Sequence, residues 1–138
     1  MNLLELQTHL DNEYNNVLTI LGEVGATGSQ PNRLYKYHHK PARIHTLKTI
    51  GKENALRTTL EQIRKTDTTT KLSTFISNKI KNITESINIE TSMEEDMFNI
   101  YFFENIDDVN IKLKIMKYGQ IETYKEIQEL LQKKKNNN

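Results

Sequence analysis

Apolar residues first recur at helical spacing. Leu3, Leu6, Leu10, Tyr14, Val17 and Leu21 fall three or four apart, with Leu4 and Leu18 widening the stripe. This predicts an amphipathic helix, for which Asn2 is a suitable N-cap. Gly22, Gly25 and Gly28, followed by Ser29 and Pro31, end that helix and predict a flexible connection. From about Arg43, Ile44, Leu47 and Ile50 repeat at three, and Leu56, Leu60 and Ile63 resume at four and three in a different phase. The shift brackets Gly51, so two helical pieces with a break near that glycine are expected. Asp67 and Thr68, Thr69 and Thr70 then supply N-cap chemistry for a third helix. Its stripe of Leu72, Phe75, Ile76, Ile80, Ile83 and Ile87 is the cleanest in the chain.

Beyond residue 87 the period changes. Ile87 and Ile89 alternate with polar residues, residues 97–103 form a β-branched and aromatic run, and Val109, Ile111, Leu113 and Ile115 alternate at strict period two. These are strand patterns, and the turn-rich residues 104–108 would join the last two as an antiparallel hairpin closed by Gly119. A last helix carries Ile121, Tyr124, Ile127 and Leu131 and ends at Lys133, Lys134 and Lys135, cations that suit its C-terminal dipole.

The predicted fold class is therefore α+β: a helical N-terminal and central part packed with a small antiparallel sheet of two or three strands and a C-terminal helix. Residues 1–135 are expected to form one domain with an extended basic loop at about 25–43. The asparagines at 136–138 read as a disordered tail. At 138 residues such a domain buries about two thirds of the surface its unfolded chain exposes.

Composition narrows the chemistry. With no Cys, disulfides, thiolate zinc sites and thiol catalysis are excluded. The first twenty residues lack a cationic n-region and are periodic rather than uniformly apolar, so they do not read as a secretory signal. No stretch approaches the roughly 20 apolar residues of a membrane span. A cytoplasmic location is expected, or a nuclear or virion one, with no membrane partner. The equal abundance of Asn, Ile, Lys and Thr, fifteen each, carries no mechanism.

Charge is sorted into blocks. Residues 1–30 hold four carboxylates and no Lys or Arg; residues 31–81 hold twelve cations against Glu53, Glu61 and Asp67; the remainder holds seven cations against eleven carboxylates. The formal net charge of +1 conceals a strongly basic middle. Within it, residues 31–50 carry Arg33, Lys36, Lys40, Arg43 and Lys48 beside Tyr35, Tyr37, His38, His39 and His45, and no acid. Cations of this kind neutralise phosphates and release counterions, while Tyr and His rings stack on unpaired bases. The candidate nucleic-acid-binding set is Arg33, Tyr35, Lys36, Tyr37, His38, His39, Lys40, Arg43 and Lys48. The plainer alternative is a solvated loop whose tyrosines pack on the domain itself.

Other constellations are weaker. Adjacent His38 and His39 point opposite ways in an extended chain, and no nearby Cys, Asp or Glu completes a shell with them or His45. Glu94, Glu95, Asp96, Asp107 and Asp108 could gather around a divalent cation, but their order matches no EF-hand or paired-carboxylate signature. Asn82-Ile83-Thr84 fits the glycosylation triplet inside a predicted helix. No serine sits in a nucleophile-elbow or P-loop context, so no enzyme, metal or cofactor is expected.

The expected function is non-catalytic binding of structured RNA, as an accessory or regulatory factor of a large ribonucleoprotein such as the ribosome. A net charge of +1 fits an accessory factor better than a core ribosomal component. One rival is a structural or adaptor protein that docks its basic loop on acidic protein surfaces, for example in a viral particle. Another is a DNA-binding regulator, because a helix, a Thr-rich turn, a helix and strands are similar in outline to a winged helix-turn-helix. The oligomeric state is not legible.

Overall fold

The computed structural model describes residues 2–23, 26–27, 30–31, 40–87 and 105–136. Four helices account for nearly all of them: α1 (Leu3–Glu23), α2 (Lys40–Ile63), α3 (Thr69–Ile87) and α4 (Val109–Asn136). Between α1 and α2, β1 (Ala26–Thr27) and β2 (Gln30–Pro31) pair antiparallel, Ala26 opposite Pro31 and Thr27 opposite Gln30. This two-residue ladder is no sheet layer. Among the described residues the fold is all-α, and the expected α+β class is overturned.

The error lies in residues 109–115. Of the four alternating apolar residues there, Ile111 and Ile115 are 7% and 1% exposed, whereas Val109 and Leu113 are 68% and 45% exposed. Buried positions four apart make a helical stripe, which continues through Tyr118, Ile121, Tyr124 and Ile127. The period-two impression arose from two surface residues interleaved with that stripe. Asp108, expected in a hairpin turn, caps α4: its Oδ1 accepts the backbone N–H groups of Asn110 at 2.9 Å and Ile111 at 3.2 Å. The other expected strand residues, 88–103, lie outside the described residues.

Two further expectations change. The helix expected from Arg43 starts at Lys40, with Pro41 in its first turn, where the missing N–H has no helical partner to lose. The N-terminal end of α2 thus occupies part of the expected loop at 25–43, as do β1 and β2. The break at Gly51 does not exist, since α2 runs unbroken to Ile63. Its apolar phase shifts because its neighbours change. Leu47, with Ile44 at its edge, packs against Ile106, Ile111 and Ile115 around the start of α4, while Leu56, Leu60 and Ile63 join the main core with α1 and α3. A central helix buries different faces at its two ends.

The main core gathers Leu6, Leu10, Val17 and Leu21 of α1, the C-terminal half of α2, Leu72 and Ile76 of α3, and Tyr124 and Ile127 of α4. The α1 stripe is borne out except at its edge, where Leu4 and Leu18 stay 72% and 40% exposed. Both predicted caps also form: Asn2 Oδ1 accepts from Glu5 N at 2.8 Å, and Thr68 Oγ1 from Lys71 N at 3.2 Å. Among the described elements α2 and α4 share the most extensive contact, crossing at Gly51 and Gly119. A side chain at either glycine would overlap the opposite backbone, Met116 carbonyl in one case and Lys48 carbonyl in the other. Gly119 ends nothing; it lets two helices touch.

Candidate nucleic-acid interface

Seven of the nine expected contact residues, Arg33, Tyr35, Lys36, Tyr37, His38, His39 and Lys40, lie outside the described residues or, for Lys40, have only their backbone described as the first residue of α2. The two whose side chains are described face α4 and the turn before it. Arg43 Nη1 donates to Asp107 Oδ1 at 2.7 Å, and Lys48 Nζ pairs with Glu122 Oε1 at 3.0 Å. The Arg43 side chain is 11% exposed while that of Asp107 is 68% exposed, so the pair ties the start of α2 to the turn that launches α4. Both cations already hold carboxylates in the free protein. A phosphate would have to compete for them.

Beyond Arg43, the same face of α2 carries Leu47, Ile50, Asn54 and Thr58, spaced three and four apart. Two shallow grooves open beside this line and meet at Asn54 and Gln120. One is lined by Ile50, Gly51, Asn54, Leu113, Met116, Lys117 and Gln120; the other by Asn54, Thr58, Lys79, Asn82, Ile83, Ser86, Gln120 and Tyr124. Gln120 Nε2 donates to Asn54 Oδ1 at 2.8 Å across the junction. Among the described residues, Lys117 and Lys79 are the only charged ones lining the pair. Lys79 Nζ sits 5.5 Å from the Phe75 ring centre, which steadies it at the rim. Tyr124 is buried, and that burial raises its pKa above 10.0 against a smaller lowering effect of the nearby Thr58 hydroxyl.

A third groove, between α1 and α4, has the opposite character. His9, Glu13, Glu126 and Glu129 line it with Thr123, Ile127 and Leu130, and His9 Nε2 meets Glu13 Oε1 at 3.3 Å. Desolvation in this groove pushes the Glu126 carboxyl above 4.5, opposed by Lys52 and reinforced by Glu13, Glu122 and Glu129. α4 therefore divides an acidic groove from a cationic, amide-rich one. No group of three or more His, Cys, Asp or Glu suited to a metal ion occurs among the described residues.

Sequence reasoning missed Asn54 and Gln120. The available signal was a polar residue at a core-facing spacing: Asn54 follows Leu47 and Ile50 by seven and four, where an apolar residue would continue the stripe. Gln120 was hidden because α4 was read as a strand ending at Gly119. α3, which the winged-helix alternative would use for recognition, buries Leu72 and Ile76 in the core, and the hairpin wing expected to follow it is replaced, at 109–115, by helix.

By its fold this is an all-α, four-helix protein among the described residues, with no helix there long and apolar enough to cross a membrane. No protein-family model, curated protein or solved structure matches the chain.

Proposed function

We propose that the protein is a non-catalytic RNA-binding factor, an accessory or regulatory component of a large ribonucleoprotein such as the ribosome. The observation that carries this reading is the acid-free stretch of residues 31–50, with five Lys and Arg, four aromatic or imidazole rings among residues 35–39, and His45. No helical periodicity calls for Arg33, Tyr35, Lys36, Tyr37, His38 and His39, whereas phosphates and unpaired bases call for both residue types. In support, the stretch runs into the N-terminal end of α2, and the next grooves along that helix are lined by cations and amides.

Binding of a labelled structured RNA, titrated at several salt concentrations, tests the reading. Replacing Arg33, Lys36 and Lys40 with Ala should weaken binding by at least tenfold and flatten the salt dependence, because about three phosphate contacts are lost. Unchanged affinity with an unchanged salt slope refutes it.

One observation favours a second reading, docking on an acidic protein surface: the two candidate cations whose side chains are described hold carboxylates, Asp107 and Glu122. A purified protein that shows no RNA shift at low salt, yet binds an acidic polypeptide through the same three residues, would establish that reading instead.

A further inference from the structure

The two grooves that meet at Asn54 and Gln120 combine three kinds of group. Their floor and wall include the apolar Ile50, Met116 and the half-exposed Leu113. Their junction is a pair of carboxamides, each of which keeps unused hydrogen-bonding capacity. The Gln120 to Asn54 bond occupies one amide hydrogen and one carbonyl lone pair, leaving the Asn54 NH₂ and the Gln120 carbonyl oxygen. Their rims carry Lys79 and Lys117, with no carboxylate among the described lining residues.

We propose that this cleft receives an unpaired nucleobase of a single strand, stacked on Leu113 and Met116 and read at its edge by Asn54 and Gln120, with its phosphates against Lys117 and Lys79. The inference rests on the RNA-binding reading and sharpens it to single-stranded RNA. Each part follows from chemistry. A flat π-face packs on apolar and thioether side chains. A carboxamide offers a donor and an acceptor that match a base edge. Rim lysines favour the polyanion that carries the base. Paired bases cannot enter, because their edges are occupied and their faces are stacked.

Placement also fits. Arg43 and Asn54 share one face of α2 about 16 Å apart at the helical rise. A strand held at Arg43 would need to run only that far along the helix to set a base in the cleft. The carboxylate-lined groove beside Glu13 and Glu126 lies against the α1 side of α4 and would repel it.

The test compares a short oligoadenylate strand, alone and annealed to its oligouridylate complement, on wild-type protein and on Gln120→Glu, which is nearly isosteric and sets a carboxylate at the junction. The single strand should bind at least tenfold tighter than the duplex, the Asn54 and Gln120 side-chain amide resonances should shift on its addition, and Gln120→Glu should weaken it about tenfold. Leu113→Asp, at an exposed position, should do the same if Gln120→Glu does not fold. Should no RNA of either kind bind wild-type protein at low salt, the RNA-binding reading falls, and this inference with it. Should RNA bind while strand and duplex bind alike, or while folded Gln120→Glu or Leu113→Asp leaves single-strand affinity unchanged, the cleft assignment alone is overturned.

Discussion

Gly51 and Gly119 face each other's helices so closely that neither position has room for a methyl group: the first meets the Met116 carbonyl, the second the Lys48 carbonyl. Ala at either site would force the backbones of α2 and α4 apart. We predict a loss of about 2–3 kcal/mol, and a fall of roughly 10 °C in Tm, despite the better intrinsic helix propensity of Ala. Gly22 is the internal control. It lies in the last turn of α1 with nothing within 4 Å of an added Cβ, so Gly22→Ala should stabilise by about 0.5 kcal/mol. Thermal melts showing the same sign for all three substitutions would refute the crossing.

A buried acid joins α1 to α2. Glu53 is 2% exposed, and its Oε1 accepts from Tyr14 Oη and Arg57 Nε, each at 3.1 Å. Tyr14→Phe should cost about 1 kcal/mol and Glu53→Ala about 2 kcal/mol. In urea titrations the double variant should lose less than the two together, since they share one bond; strict additivity would mean that bond contributes nothing.

Alkaline stability follows from the same site. Desolvation and the Glu53 carboxylate raise the Tyr14 pKa above 10.0, and burial does the same for Tyr124. A raised folded pKa means the native state holds its proton longer. That stabilisation is complete below pH 10.0 and is lost as pH rises through the folded values. Tyr14→Phe should therefore narrow its stability deficit above that pH. A deficit independent of pH would contradict the assignment.

Glu126 gives the opposite balance at neutral pH. Its carboxyl, raised above 4.5, is destabilised when ionised in the folded chain, so native stability falls as pH climbs through the folded value. Glu126→Gln should raise Tm by up to about 2 °C at neutral pH, an effect limited by solvent screening. The gain should vanish below the ordinary carboxylate range. A loss of Tm at neutral pH would show that Glu126 makes a favourable contact instead.

If Arg43 and Lys48 meet phosphate, as the proposed function has it, the carboxylates that hold them would compete for them. Asp107→Asn and Glu122→Gln should each raise RNA affinity by about two- to fivefold, the scale of a surface ion pair. Equilibrium binding at low salt measures this. A decrease in affinity would instead show that Asp107 and Glu122 position these cations for the partner.

Three of the four helices were legible as helices because their apolar stripes have a period and their caps a chemistry: Asn2 and Thr68 bond where their residue types suggest. Two features were not legible, each for a physical reason. Val109 and Leu113 are apolar yet exposed, and hydropathy records what a residue is rather than where it lies. Gly51 suggested a break because glycine weakens helices, although here it removes a Cβ from a crossing that only the partner helix defines. The charge-based candidate set rests on composition alone, and most of it lies outside the described residues, while the Asn54 and Gln120 cleft depends on residues 66 apart meeting across two helices.

α4 is the helix on which both α2 and α3 pack, while those two scarcely meet each other. It is also the last of the four to be synthesised. Until Val109 and the residues after it have left the ribosome, α2 has α1 to pack on, but the apolar face of α3 lacks its main partner. Docking of α3 therefore waits for α4, the one helix that completes the main core, the Gly51 crossing and the cationic cleft together.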